Sequence, residues 1–163
     1  MTEWSTFTEE APKIAEVFLR RHRATGNLCM LGTLRADGSP RISPVEPMIF
    51  EGRLVIIGMP DTTKFKDLAR DPRFCIHTAT VDTTVGDGDA KLFGTVVDDT
   101  DTELHARFAQ YLFDLSGMDL RGQEFDHFYV GRLTGASCIE AGEDRLTITI
   151  WKPGEGERVV YKG

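Results

Sequence analysis

The stretch LCMLGTLRADGSPRISPVEPMIFEGRLVIIGMPDTTKFKDLARDPR, from Leu28 to Arg73, decides how the rest of this chain is read. Leu28 to Leu34 is a mixed apolar run suited to a strand buried on both faces. Ala36-Asp37-Gly38-Ser39 is a hairpin turn, since Asp-Gly accepts the positive φ that tight turns need. Arg41 to Phe50 continues as a strand interrupted by Pro44 and Pro47. Proline has no N–H to give a ladder, so this strand lies at an edge or is bulged. Glu51-Gly52 turns the chain again and Leu54 to Ile57 is a short β-branched strand. Asp61-Thr62-Thr63-Lys64 then opens a short helix, Lys64 to Ala69, which stops before Asp71-Pro72.

That helix start carries the clearest chemical signal in the chain. The first turn of a helix offers unpaired N–H groups and partial positive charge, so two hydroxyls and a lysine there make a seat for phosphate. Thr62, Thr63 and Lys64 would hold it, helped by Lys66 or by Arg41 from a nearby strand. The same residues also fit a plain capped helix with Lys64 in solvent. The interrupted strand has two readings as well. Its irregular backbone offers free N–H and C=O groups to the edge of a heteroaromatic ring, or its prolines protect a sheet edge from aggregation.

Outward from this stretch the pattern stays regular. A helix is predicted from Thr8 or Glu10 to Arg23, with Pro12 in its first turn, Ile14, Val17 and Phe18 on one face, and Gly26-Asn27 at its end. Phe74 to Thr80 and Ala90 to Val97 read as strands, separated by the aspartate- and glycine-rich loop Asp82 to Asp89. Asp98-Asp99-Thr100-Asp101 offers caps for a helix from Thr102 to Leu115. Phe128 to Glu140 and Arg145 to Trp151 read as two late strands, and Arg158 to Tyr161 adds a short one. Six or seven mainly antiparallel strands with three flanking helices make an α+β protein. A small barrel is its natural packing, because closure hides strand edges.

The totals bound the function. A chain of 163 residues is read as one domain, 1–163. Its net charge of −7 argues against nucleic acid and against anionic membranes. No apolar run reaches the length that spans a bilayer, and the polar, acidic Met1 to Glu10 is unlike a signal peptide. Cys29, Cys75 and Cys138 are odd in number and form no Cys-x-x-Cys pair, which points to a reducing cytoplasm and structural thiols. His22, His77, His105 and His127 form no metal-binding spacing, so no metal is expected. There is no Gly-x-Ser-x-Gly elbow, and Gly86-Asp87-Gly88-Asp89 lacks the third glycine and following helix of a dinucleotide loop.

Three segments in order carry a resemblance to a known family. The run Leu31 to Val45 resembles the opening hairpin of the pyridoxamine 5′-phosphate oxidase-like proteins, the FMN-binding split β-barrel superfamily. Thr62-Thr63-Lys64 with Leu68 to Arg73 is similar to that family's phosphate-binding helix and its exit, and Ala90 to Val96 to its following strand. The resemblance implies a split β-barrel and a homodimer with cofactor sites at the subunit interface. It implies that Arg41 and Lys64 with Thr63 hold the phosphate. Ser43, Pro44 and Val45 would pass beside the ring system, and Ile57, Gly58 and Met59 would contact the ribityl side. Glu46 lies in the neighbourhood, a few positions beyond the strand arginine, where pyridoxamine phosphate oxidases carry a basic residue, and Trp151 with Arg158 only loosely echoes their substrate signature.

The same superfamily contains reductases that use the deazaflavin F420, so the resemblance implies FMN, with coenzyme F420 as the alternative. The function implied is hydride transfer between the cofactor and a small planar or unsaturated substrate. The alternatives are a non-catalytic FMN- or F420-binding protein, or a haem-binding relative with His22, His77 or His127 as ligand.

Overall fold

The computed structural model describes the whole chain, Met1–Gly163. Its N-terminal region is two helices, α1 (Trp4–Glu10) and α2 (Pro12–Ala24), where the sequence reading had one. The break falls at Ala11, with φ −131° and ψ 61°. The cause is Pro12, which disfavours helical backbone in the residue before it and serves as the first residue of the second helix. Four helices therefore flank the sheet, not three.

The strands of the hairpin region are β1 (Cys29–Leu34), β2 (Pro40–Val45), β3 (Met48–Phe50) and β4 (Arg53–Ile56). The expected single strand from Arg41 to Phe50 is thus two strands, separated by Glu46-Pro47. Helix α3 (Thr63–Arg70) follows, then β5 (Arg73–Thr78) and β6 (Asp89–Asp98). Helix α4 (Thr102–Ser116) is capped by Asp101, whose carboxylate accepts the N–H groups of Glu103 and Leu104. The chain ends in β7 (Tyr129–Ala141), β8 (Leu146–Trp151) and β9 (Glu157–Lys162).

Every strand pairing is antiparallel, in the order β2-β1-β5-β6-β7-β4-β3, with β8 and β9 extending from β7 as a hairpin. The first and last strands of this seven-strand path, β2 and β3, are neighbours in the chain, joined by Glu46-Pro47 alone. The sheet must curl to bring its two edges together. It is closed there by covalent chain and not by a ladder, which is the split in the barrel. The Pro47 carbonyl at this link contacts His22 Nε2 at 2.6 Å. Burial pushes the His22 pKa below its ordinary value, so the neutral imidazole that can donate one such bond is favoured.

Side-chain alternation sorts the apolar residues into two cores. Leu54 and Ile56 of β4 and Leu133 of β7 join Leu31, Ile76, Leu92 and the aromatic rings of α1 and α2 in the larger one. The intervening Val55 and Val130 point outward onto Leu104, Phe108 and Leu112 of α4. Gly94 sits at the bulge where β6 meets β7, and a Cβ there would overlap the Arg132 carbonyl. Cys29 and Cys138 are buried in strands, and burial pushes the Cys29 thiol up to about 12. Cys75 lies exposed on β5. No helix is long and apolar enough to cross a membrane.

Candidate functional site

The split opens onto a cavity of about 620 Å³. Pro44, Val45 and Glu46 border it from the end of β2, Met48 from β3, and Ile57, Gly58 and Met59 from the segment after β4. Lys64 and Phe65 of α3 form the next wall. The remainder comes from Phe108 and Leu112 of α4 and from the connection between α4 and β7, which contributes Met118, Leu120, Phe125 and His127 among others.

The start of α3 has the features of an anion seat. Thr62 is the N-cap, yet its side chain makes no capping bond, and its hydroxyl is buried without any partner. The N–H groups of Thr63 and Lys64 find no carbonyl acceptor, while Phe65 and Lys66 both donate to the Thr62 carbonyl. The Lys64 ammonium lies 5.6 Å from the centre of the Phe65 ring and enters no ion pair. Asp61 takes a left-handed φ of 61° to turn the chain into the helix. A Cβ at Gly58 would press on the Phe65 ring at 3.0 Å, so glycine lets the approach to α3 run tight against it. Orphaned donors, an unpaired hydroxyl and a free cation fit a phosphate group.

Helix α3 is held rigidly. Asp67, only 2 % exposed, receives Arg41 Nε at 2.6 Å, the Thr33 hydroxyl at 2.8 Å and Arg70 Nη2 at 3.1 Å. Burial works against the Asp67 carboxylate, but the bonds from Arg41, Thr33 and Arg70 outweigh it and hold its pKa below the usual value. Arg70 also donates to the Leu34 carbonyl at 2.8 Å, and the Tyr129 hydroxyl donates to the Phe65 carbonyl at 3.3 Å.

Of the residues expected to bind cofactor, Pro44, Val45, Ile57, Gly58, Met59 and Lys64 line the cavity. Thr62 and Thr63 stand behind Lys64 at the helix start, and Ser43 faces Leu31 within the β1–β2 ladder. Arg41 is tied through Nε to Asp67, and its terminal amines have no protein partner. Sequence reasoning did not pair Arg41 with Asp67, and it did not find the wall from Phe108 to His127. The available signal was the run of apolar residues Met118, Leu120 and Phe125 in a segment otherwise full of polar ones. Among the histidines weighed as haem ligands, His22 is buried against Pro47 and His77 Nδ1 contacts the Thr78 carbonyl. Only His127 borders the cavity.

Residues 15–126 match the family described as pyridoxamine 5′-phosphate oxidase. The chain belongs to that family. No functionally curated protein matches the sequence. A pyridoxamine 5′-phosphate oxidase-related, FMN-binding protein from Nostoc punctiforme is 14% identical with a TM-score of 0.64, over 93% of this chain and 95% of that one. PhzG from Burkholderia lata, solved with tetrahydrophenazine-1-carboxylic acid, is 13% identical with a TM-score of 0.63, over 94% and 92%. A haem-binding protein from Mycobacterium smegmatis is 24% identical with a TM-score of 0.63, over 85% of this chain and 58% of that one. The chain thus spans little more than half the length of this last relative. At these identities the likeness establishes the shared split-barrel fold.

Proposed function

We propose that this protein binds FMN, or the related deazaflavin F420, in the cavity at the barrel split and works as an oxidoreductase on a small planar or unsaturated substrate. The observation that carries the reading is the start of α3. Unbonded N–H groups, the orphaned Thr62 hydroxyl and the unpaired Lys64 ammonium meet beside a largely apolar cavity. When bound, the cofactor supplies the hydride donor or acceptor. The chain's own residues hold the phosphate at α3, place Pro44 and Val45 beside the ring system, and exclude water with Phe108, Leu112 and Phe125.

The charges narrow the substrate. Lys64 is the sole lysine or arginine on the cavity wall, whereas Glu46, Glu124 and Asp126 all border it. A substrate with its own phosphate would face those carboxylates with no second cation to receive it, so pyridoxamine phosphate is a poor candidate. The substrate is uncharged or cationic.

Adding FMN and then F420 to ligand-free protein, and following the cofactor's fluorescence, tests the reading. Saturable binding of either one at a single site per chain supports it, and failure of both to bind sinks it. A second reading is haem binding. It is favoured by the haem-binding relative and by the presence of His127, a competent iron ligand, on the cavity wall. The absorption spectrum separates the two, because a Soret band appears on haem addition only if the iron is ligated.

We also propose that the protein is a cytoplasmic homodimer. Strand β2 is a sheet edge, and Ile42 on it and Met59 at the cavity rim are 73% and 77% exposed. Burying both in a two-fold contact removes apolar surface from water and shelters the cavity. Light scattering is expected to give twice the chain mass of 18.2 kDa, and a monomer mass at micromolar concentration would count directly against the dimer.

A further inference from the structure

The barrel split is held at a single carbonyl, and the side chain that holds it titrates. The link Glu46-Pro47 joins the two edge strands, β2 and β3. It also forms one border of the cavity, since Pro44, Val45 and Glu46 line it on one side of Pro47 and Met48 on the other. Two contacts from the end of α2 secure this border. His22 Nε2 lies 2.6 Å from the Pro47 carbonyl, and Asn27 Nδ2 donates to Met48 Sδ at 3.5 Å. Asn27 is itself tied to the helix, its N–H donating to the His22 carbonyl at 2.7 Å. The imidazole is placed by a stack on the buried Phe18, with ring centres 5.6 Å apart and planes 16° apart. Of the two contacts, only the one made by His22 is changed by a proton.

The surroundings of His22 suit its neutral form. The residue is 8% exposed, and Nδ1 makes no bond to the protein. Its charged neighbours in the chain are Arg21 and Arg23 on α2, and Glu46 precedes Pro47 in the link. Arg21 turns to Asp87 and to the Ala79 carbonyl, and Glu46 is exposed. No carboxylate pairs with the imidazole. Burial disfavours the imidazolium more than the bond to Pro47 favours it, and the Arg23 charge adds to the effect. A proton on this ring therefore draws it toward water and away from the carbonyl.

We propose that His22 is a proton-sensitive latch on the barrel split: the neutral ring holds Pro47 and keeps the cavity border closed, and protonation frees the link and releases a bound ligand. The latch stands on the fold alone, and its effect on the ligand rests on the cofactor reading above. The closed link is the form with fewer protons on His22. It is complete above the ordinary imidazole value of about 6.5 and is lost as the pH falls through the lowered value. One pH unit below the His22 midpoint about a tenth of the molecules keep the link closed, so the apparent dissociation constant rises about tenfold.

The test first follows ligand-free protein from about pH 8 to about pH 4.5, a range that spans histidine titration. Side-chain NMR gives the His22 midpoint. Hydrogen exchange at the Glu46 and Met48 amides, corrected for the intrinsic effect of pH, reports the link. Their protection is expected to fall at the His22 midpoint, while that of Leu92 in the core of β6 stays constant. His22→Gln keeps a donor for the Pro47 carbonyl but does not titrate, so its protection should not change with pH. Titrations with FMN and F420 at each pH should show the tenfold loss in wild type and not in His22→Gln, which cancels the titration of the phosphate itself.

Protection that is constant in wild type, or that falls at a midpoint other than that of His22, overturns the latch whether or not His22→Gln folds. Equal pH dependence of protection in the two proteins overturns it as well. A latch seen by exchange, with equal losses of affinity in wild type and variant, overturns the release of ligand. Wild-type protein that binds neither cofactor overturns the cofactor reading and leaves the latch to be decided by exchange.

Discussion

Asp67→Ala is expected to lower the stability of this protein by about 3 kcal/mol, a fall in melting temperature of roughly 6–12 °C for a domain of this size. Asp67 is almost fully buried and accepts bonds from Arg41, Arg70 and the Thr33 hydroxyl. Removing it leaves the Thr33 hydroxyl buried without its partner and the Arg41 guanidinium without its counter-charge. Arg41 is one-quarter exposed and can recover some hydration, which keeps the estimate at the lower end for a broken buried pair. Thermal unfolding followed by circular dichroism measures the change, and a melting temperature within a degree of wild type would show that the network contributes nothing net.

The same carboxylate gives the stability a pH dependence of definite sign. The pKa of Asp67 lies lower in the folded protein than in the unfolded chain. Its contribution is therefore complete above the ordinary aspartate value of about 4, and is lost as the pH falls from there through the lowered folded value. Urea midpoints of wild type should drop on acidification below pH 4 by more than those of Asp67→Asn. Equal slopes for the two proteins would assign the acid sensitivity elsewhere.

Lys64→Ala is expected to raise the dissociation constant of the bound cofactor roughly tenfold to a hundredfold, since a charge-assisted contact to a phosphate contributes about 1.5–3 kcal/mol. Lys64 has no intramolecular ion pair to lose, so the fold should be unaffected, and an unchanged melting temperature is part of the prediction. Thr63→Val should weaken binding less, because the backbone N–H at that position survives the substitution. Lys162→Ala, on the exposed last strand, is the control and should leave the titration unchanged. Wild-type and Lys64→Ala titrations that overlay for both FMN and F420 would remove the phosphate seat from α3.

Several parts of this protein were legible in the sequence because the physics behind them is local. The Asp37-Gly38 turn, the stop at Asp71-Pro72 and the Asp101 cap each depend on a few neighbouring residues. So does the unpaired helix start at Thr62-Thr63-Lys64, since orphaned N–H groups arise within one turn whatever lies elsewhere. Pro44 and Pro47 marked an irregular edge strand, and the fold class followed from the order of the hairpins. The same reasoning could not tell that the strand would divide at Glu46-Pro47 and so place the two ends of the seven-strand path beside each other. Nor could it join Arg41 to Asp67, His22 to Pro47, or the wall from Phe108 to His127 to Lys64. Those partners lie tens of residues apart, and only the curl of the sheet brings them together. Local sequence determined where a helix start is left unpaired. Closure of the barrel decided what surrounds it, because a cavity wall is made by long-range packing and has no pattern along the chain.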